Sequence, residues 1–401
     1  MKIKDIVTFV SKSITPQKGV TYNLYSLPSF DDGKTFEVLD GADIQSNKYE
    51  VPNKCILFNK LNVRFKRVWR IDSQDENKIA STEFLPLVVD EDVVDFQYCY
   101  YLLISDKITN YLCGQNTNTS GSHKRIDPDN FLNIEIKLPK MSIQRQIGKT
   151  LSALDRKIVL NKQINDNLEA MAKQLYDYWF VQFDFPNEEG KPYKSSGGAM
   201  VYNEKMKREI PQGWSNGVLS DVANITMGQS PDGSSYNEDG EGIIFYQGST
   251  DFGLRFPDIR QYTTSPSRYA NKGDILMSVR APVGALNIAN NDCCIGRGLS
   301  ALSSKIGSMT HLYYLMNDFR LKFEGMNSAG TTFGAITKDE LFSLPVIIPT
   351  KSVISEFEQV CEPIFDKQMI IGEEINALTK QRDELLPLLM NGQASVNYHL
   401  S

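Results

Sequence analysis

Two passages of this sequence resemble each other and organise the rest of it. Residues 136–175 read IKLPKMSIQRQIGKTLSALDRKIVLNKQINDNLEAMAKQL, and residues 346–385 read VIIPTKSVISEFEQVCEPIFDKQMIIGEEINALTKQRDEL. At a shift of 210 residues, Pro139 aligns with Pro349 and most of the apolar positions that follow align as well. The chain therefore consists of two diverged halves, each of which ends in the same kind of segment.

After each of these prolines, seam positions recur alternately four and three residues apart. The first seam comprises Ile147, Leu151, Leu154, Ile158, Asn161, Asn165, Leu168, Ala172, Leu175 and Trp179. The second comprises Phe357, Cys361, Ile364, Gln368, Ile371, Ile375, Leu378, Arg382, Leu385 and Leu389. Over about four heptads this spacing predicts two long helices that pair as a coiled coil. The alternative is two amphipathic helices, each packed on its own domain.

Polar residues and prolines qualify this pattern. Asn161 and Asn165 interrupt the first seam, and polar residues at such positions fix register or partner at some cost in stability. Pro363 and Pro387 predict local kinks in the second helix.

The remaining stretches have a mixed texture that predicts an α+β fold. Short β-branched and aromatic runs bounded by Asn, Asp and Gly predict strands at 55–58, 84–89, 243–246 and 274–279, and helices are expected at 96–104 and 310–323. The residues between the halves are rich in Gly, Pro, Ser and charge, which is typical of a linker. We therefore divide the chain into globular domains at 1–139 and 211–349, helices at 140–180 and 350–391, a linker at 181–210 and a tail at 392–401.

Composition and missing motifs exclude several functional classes. The chain has 401 residues, a net charge of −6 and no apolar run long enough to span a membrane. It has no phosphate loop, dinucleotide fingerprint or G-x-S-x-G elbow, and its three histidines lack metal spacing. Asp129 and Glu135 resemble a nuclease metal motif, but a solvated turn accounts for them better. Six scattered cysteines predict reduced structural thiols, and we expect a cytoplasmic protein.

Clustered cations are the remaining candidates for a site. In the first half they are Lys60, Arg64, Lys66, Arg67 and Arg70, interleaved with Phe65 and Trp69, followed by Lys124 and Arg125 after a polar loop. In the second half they are Arg255, Arg260, Arg268, Arg280 and Arg297, with Thr331 and Thr332 in the matching loop. Such residues suit phosphate and base contacts in DNA, whereas the alternative is a solvated charged face.

The two variable units, their Pro-marked heptad helices, and the connecting segments WFVQFDFPNEEGKPYKSSGGAMVYNE and IPQGW together resemble the specificity subunit of type I restriction-modification systems. The resemblance covers essentially the whole chain. It implies two target recognition domains in a pseudo-twofold arrangement, separated by two long antiparallel helices. Each domain would read one half of a bipartite, asymmetric double-stranded DNA site, and the helices would set the spacer.

The same resemblance implies partners and a division of labour. Two modification (methyltransferase) subunits would dock on the helices, and restriction subunits with the motor and nuclease would join them. The chain itself would bind no cofactor and catalyse nothing, because S-adenosylmethionine, ATP and Mg would belong to the partner subunits. Two other functions are weighed against this one: a coiled-coil adaptor that binds protein rather than DNA, and a self-sufficient nuclease or methyltransferase.

Overall fold

The structure is a computed structural model that describes residues 1–115, 125–328 and 334–396. Its contacts divide the chain into two units. The first unit contains Met1–Val159 and the chain from Ala377 onward, and the second contains Leu160–Asn376. Each unit thus holds one globular domain together with a part of each long helix. The division falls within the helices, whereas the sequence placed domain boundaries at their ends.

The first unit is built on two β-sheets. An antiparallel sheet has the order Val7–Phe9, Phe84–Val89, Lys54–Asn59 and Val68–Asp72. A mixed sheet has the order Ser13–Ile14, Lys48–Glu50, Lys78–Ala80, Thr21–Tyr25 and Glu37–Asp40. Its helices are Leu27–Asp31, Phe96–Ile104, Asp106–Gln115 and Pro128–Leu132, with 3-10 turns at Ile3–Asp5, Gly41–Asp43 and Val63–Phe65.

The central strand of the antiparallel sheet shows why its sequence is apolar without a break. Ile56 and Phe58 face one hydrophobic core, while Cys55 and Leu57 face a second core on the opposite side. Because successive side chains of a strand point to opposite faces, a strand covered on both faces needs an apolar residue at every position.

The second unit repeats this plan. Its antiparallel sheet has the order Ala223–Met227, Leu299–Ser304, Ile275–Ser278 and Leu286–Ile288. Its mixed sheet has the order Tyr236–Asn237, Tyr262–Thr263, Ile243–Tyr246, Cys293–Ile295 and Tyr269–Ala270. Two further pairs join Ser215–Val218 to Pro345–Ile348 and Met200–Asn203 to Arg208–Pro211. Its helices are Leu219–Val222, Met309–Ser328 and Lys338–Phe342, with 3-10 turns at Gly233–Ser235 and Ser249–Asp251.

The predicted helices and strands are confirmed, and the α+β class with them. The first long helix spans Met141–Tyr176 and ends in a wide turn over Asp177–Val181, and the second spans Lys351–Met390. The second helix continues through Pro363 and Pro387. Every predicted seam position is buried or half-buried.

Within each unit the two helices run antiparallel. In the first unit, Ile147 and Leu151 near the start of the first helix share a core with Leu389 near the end of the second. In the second unit, Trp179 after the end of the first helix lies 5.5 Å, ring to ring, from Phe357 near the start of the second. Seam residues of the two helices therefore meet within each unit, as the heptad pattern predicts.

The segment 181–210, interpreted as a linker from its composition, is folded into the second unit. Phe183 and Phe185 are buried, and Phe185 stacks on Tyr193 and Trp214 at centroid distances of 4.6 and 5.1 Å. The carboxylate of Asp184 accepts hydrogen bonds from the Ser195 backbone N–H and hydroxyl. Aromatic burial of this kind outweighs the Gly, Pro and Ser content that suggested a linker.

Candidate nucleic-acid interface

The cations of the first half lie on and beside the turn that joins Lys54–Asn59 to Val68–Asp72. Asn62 and Lys66 flank the 3-10 turn Val63–Phe65 with left-handed backbone, at φ of 52° and 48°. Val63 anchors the turn in the core, whereas Arg64 and Phe65 are exposed. The backbone reversal thus presents the charged side chains at one edge of the unit.

Most of these cations already have a partner. Lys66 forms an ion pair of 2.6 Å with Asp106, and Arg67 holds both oxygens of Asp31 at 2.6 and 2.7 Å. The guanidinium groups of Arg64 and Arg67 each lie 4.8 Å from the ring centre of Phe65. The Lys66–Asp106 pair is exposed, and such pairs contribute about 0–1 kcal/mol, so an incoming phosphate can replace that carboxylate. The Arg67 side chain is only 18% exposed and is held more firmly by Asp31.

A distant residue joins this group. Arg125 forms an isolated bridge with Leu61, and the Ile126 backbone N–H donates to the Lys60 carbonyl at 2.9 Å. The Arg125 guanidinium binds both oxygens of Glu83 at 2.6 and 3.1 Å. Hydrogen bonding to Glu83 and its charge raise the pKa of Arg125, which carries a full positive charge in any case. We call Lys60, Arg64, Lys66, Arg67 and Arg125 the first cation cluster; Lys124 lies outside the described residues.

In the second half, three predicted arginines are linked through one loop. Ser278 pairs with Leu299, and Arg280 and Arg297 leave the sheet at the same end of this strand pair. The backbone N–H of Arg297 donates to the Ser230 hydroxyl at 3.3 Å. Beside it, the Ile295 backbone N–H donates to the carbonyl of Arg268 at 2.9 Å.

These three arginines are exposed. We call Arg268, Arg280 and Arg297 the second cation cluster. Arg260 is exposed on the loop before Tyr262–Thr263, while Thr331 and Thr332 lie outside the described residues.

The two clusters occupy equivalent places in the repeat. Ile126 donates its backbone N–H to Lys60 in the first unit, and Ile336 donates likewise to Val279 in the second, at 2.9 Å in both. Arg280 forms an isolated β-bridge with Ala335 in the second unit, and Leu61 forms one with Arg125 in the first unit. The same edge of each domain is therefore cationic, although different residues supply the charge.

Two residues predicted to contact DNA have partners within the protein. Arg70 turns away from the first cluster: its guanidinium donates to Gln97 and to Asp155 and lies 4.2 Å from the ring centre of Tyr100. The Arg255 side chain is only 6% exposed and donates to Glu169 and Gln368. Neither side chain lies on the cationic edges, because each is held by a carboxylate of the first long helix.

Sequence reasoning missed the polar residues that hold these arginines. Asp155 and Glu169 are not seam residues, and nothing in the local pattern distinguishes them from solvated acids. A usable signal did exist on the second helix, where Gln368 and Arg382 are polar residues at seam positions. Both are hydrogen-bonded to these carboxylates.

The helix seam also contains polar contacts of its own. The Asn161 side-chain amide donates to Glu374 at 2.8 Å, whereas the buried Asn165 Oδ1 has no hydrogen-bond partner among the described residues. Toward the ends of the helices the seams are apolar: Ile147, Leu151 and Leu389 belong to one hydrophobic core, and Ala172, Trp179, Phe357 and Cys361 belong to another.

Five of the six cysteines are buried, and the two acids of the candidate metal motif lie in separate local structures. Burial raises the pKa of Cys55, Cys99, Cys293 and Cys361 to about 12, which keeps these thiols protonated. Asp129 lies in the short helix Pro128–Leu132, and Glu135 pairs with Lys2 in an isolated bridge. Across 1–115, 125–328 and 334–396, no three His, Cys, Asp or Glu side chains converge as metal ligands. No helix in those ranges is long and apolar enough to cross a membrane.

Comparison with known proteins identifies this architecture. The family model described as the type I restriction modification DNA specificity domain matches residues 1–170 and again 211–384. The chain belongs to this family. Its two matched segments contain the two cation clusters and most of both long helices.

Individual relatives agree with this assignment. The putative type I restriction enzyme MjaX specificity subunit of Methanocaldococcus jannaschii is 30% identical, over 98% of this chain and 93% of the relative. The HindI specificity subunit of Haemophilus influenzae is 23% identical, over 84% of this chain and 86% of the relative. A solved type I S subunit from M. genitalium has the same fold, with a TM-score of 0.61 at 14% identity over 97% and 95% of the two chains.

Proposed function

We propose that each cation cluster is the phosphate-contacting edge of a recognition domain that reads one half of a bipartite, asymmetric DNA site. The observation that carries this proposal is the equivalence of the two cationic edges in the repeat. Phosphate contacts position a protein on DNA, and neighbouring side chains then read the bases. Because the two domains have diverged in sequence, they should read different half-sites.

The long helices connect these domains and set the spacer, and they bind the catalytic partners. The first helix carries Leu160, Ile164 and Met171 outside its seam, with 52%, 37% and 53% of their surface exposed. Apolar residues repeated along an outer helix face are typical of a surface for another protein. Two modification subunits with S-adenosylmethionine dock there, and restriction subunits with ATP and Mg join the assembly in the cytoplasm.

The test is a titration of duplex DNA in the presence of the modification subunit. Affinity should fall steeply as salt rises, because each phosphate contact releases condensed counterions. Methylation mapping in cells should then give two different short half-sites with a constant gap. Duplex binding that is absent, or independent of salt, would contradict the proposal and favour a protein-binding adaptor.

A further inference from the structure

Among the described residues, a polar network in each unit joins the domain to both long helices. In the first unit the acceptor is Asp155 on the first helix. It binds the guanidinium of Arg70 at 3.4 Å, the hydroxyl of Tyr101, and the guanidinium of Arg382 on the second helix at 3.2 Å. The side chains of Arg70, Asp155 and Arg382 are 26%, 17% and 28% exposed, so the network is largely shielded from water.

The second unit has a corresponding polar network made of different residues. Here Glu169 on the first helix binds the guanidinium of Arg255 at 3.4 Å and the hydroxyl of Tyr314 at 3.2 Å. The amide of Gln368 on the second helix donates to Glu169 at 2.8 Å and accepts from Arg255 at 3.1 Å. In both units an arginine and a tyrosine of the domain therefore converge on one helix carboxylate.

The two networks are not simple copies inherited with the repeat. Fourteen residues, or two heptads, separate Asp155 from Glu169, so both acids follow a seam leucine at the same heptad position. At the shift of 210 residues, their counterparts on the second helix are Phe365 and Thr379, neither of which is acidic. The first helix thus supplies the acceptor for both domains, whereas the repeat would place one acceptor on each helix.

Convergent hydrogen bonds restrict orientation more than apolar packing does. Burial of apolar surface is non-directional and tolerates small rotations and slides, whereas a carboxylate that holds a guanidinium and a hydroxyl accepts one geometry. Removing the carboxylate leaves an arginine that is shielded from water without a counter-charge. The acids therefore determine the orientation in which each domain sits on its own part of the helix pair.

We propose that Asp155 and Glu169 are positioning residues that determine how strictly the protein demands one spacer length between its half-sites. This inference rests on the proposed function, because it concerns two domains that read one DNA molecule. Loosening either domain on its helices lets it reach a half-site displaced by one base pair, at little loss of affinity for that half-site.

The experiment uses the full chain with its modification subunit and three duplexes. The duplexes carry the half-sites found by methylation mapping, with the natural spacer and with one base pair more or fewer. The measured quantity is the ratio of affinity for the natural spacer to affinity for the altered ones. In Asp155→Asn and in Glu169→Gln this ratio should fall about fivefold, a typical size for one coupling within a hydrogen-bond network.

Matched variants separate positioning from general damage. Glu50→Gln and Glu189→Gln remove exposed carboxylates paired with Lys12 and Lys191, and should leave the ratio unchanged. Should an acid variant fail to fold by circular dichroism, Tyr101→Phe and Tyr314→Phe decide instead. Each removes only a hydroxyl from the same carboxylate and should lower the ratio in the same direction.

One result would overturn the inference while leaving the proposed function intact: an unchanged spacer ratio in folded variants. This includes an equal loss of affinity for all three duplexes, which a merely stabilising role produces. Wild-type protein that shows no salt-dependent duplex binding would instead refute the proposed function, and the inference with it.

Discussion

Replacing Lys60, Arg64, Lys66 and Arg67 together by glutamine removes four positive charges from one edge of the first unit. If all four contact phosphate, the slope of log affinity against log salt should become shallower by about 3.6, at about 0.9 for each contact. Between about 50 and 200 mM salt, wild-type affinity should then fall about 150-fold more than that of the variant.

The ion pairs of the first cation cluster give a lower limit for the expected change in slope. Lys66 and Arg67 already hold carboxylates, whereas no ion pair of Lys60 or Arg64 is found among the described residues, so these two can contact phosphate without exchanging an ion-pair partner. Two contacts would change the slope by about 1.8 and the affinity ratio by about 12-fold. A measured change between these limits gives the number of ion pairs that open on binding.

Fluorescence anisotropy of a labelled duplex at several salt concentrations measures the slope. A control of equal charge loss away from the cluster neutralises Lys12, Lys54, Lys191 and Lys380. The control should keep the wild-type slope. A variant with an unaltered slope and a new preferred sequence would show that the cluster reads bases. An unaltered slope together with an unaltered preferred sequence would refute the assignment of the first cation cluster to DNA contact and favour the alternative that these residues form a solvated charged face.

Three further predictions concern the helices and the core. Leu151 is a fully buried seam residue, so Leu151→Asp should lower the free energy of unfolding by at least about 3 kcal/mol in denaturant titrations. Val159 is 54% exposed, so Val159→Asp should lower it little. Equal losses in the two variants would contradict the assignment of Leu151 to a buried seam. Four residues inserted into 143–180 lengthen the helix by about 6 Å, so methylation mapping should find the same half-sites with one or two more base pairs between them. Changed half-sites separated by the original number of base pairs would show that the helices do not set the spacer. Burial lowers the pKa of His311 to about 3, whereas the pKa of histidine in the unfolded chain is about 6.5. As pH decreases below about 6.5, the unfolded chain binds a proton that the folded chain does not, and the free energy of unfolding falls by about 1.4 kcal/mol per pH unit. Replacing His311, which packs on Phe180, by phenylalanine should remove that contribution between about pH 6.5 and 5, and an unchanged pH dependence would contradict it.

Features encoded by neighbouring residues could be predicted from the sequence alone. The strand Phe84–Val89 and the helix Phe96–Ile104 begin and end at the predicted residues, because a short apolar run and a helical period are local signals. The heptad seams are equally local, since each position depends on residues three and four away. The repeat itself followed from comparing the chain with itself.

Features that depend on distant partners could not be predicted in this way. Whether Arg70 and Arg255 face DNA or the helices depends on Asp155 and Glu169, which lie 85 and 86 residues away in the chain. Composition cannot distinguish an arginine on a charged surface from one whose counter-charge arrives from another element.

The position of Arg125 beside Lys60 and the folding of 181–210 against Trp214 are of the same kind. The sequence by itself determined the two long helices, several strands and helices with strong local patterns, and the cationic stretches, because periodicity and propensity act over a few residues. Only the tertiary structure decided which charges are buried or paired, because burial and ion pairing are settled when distant segments pack together.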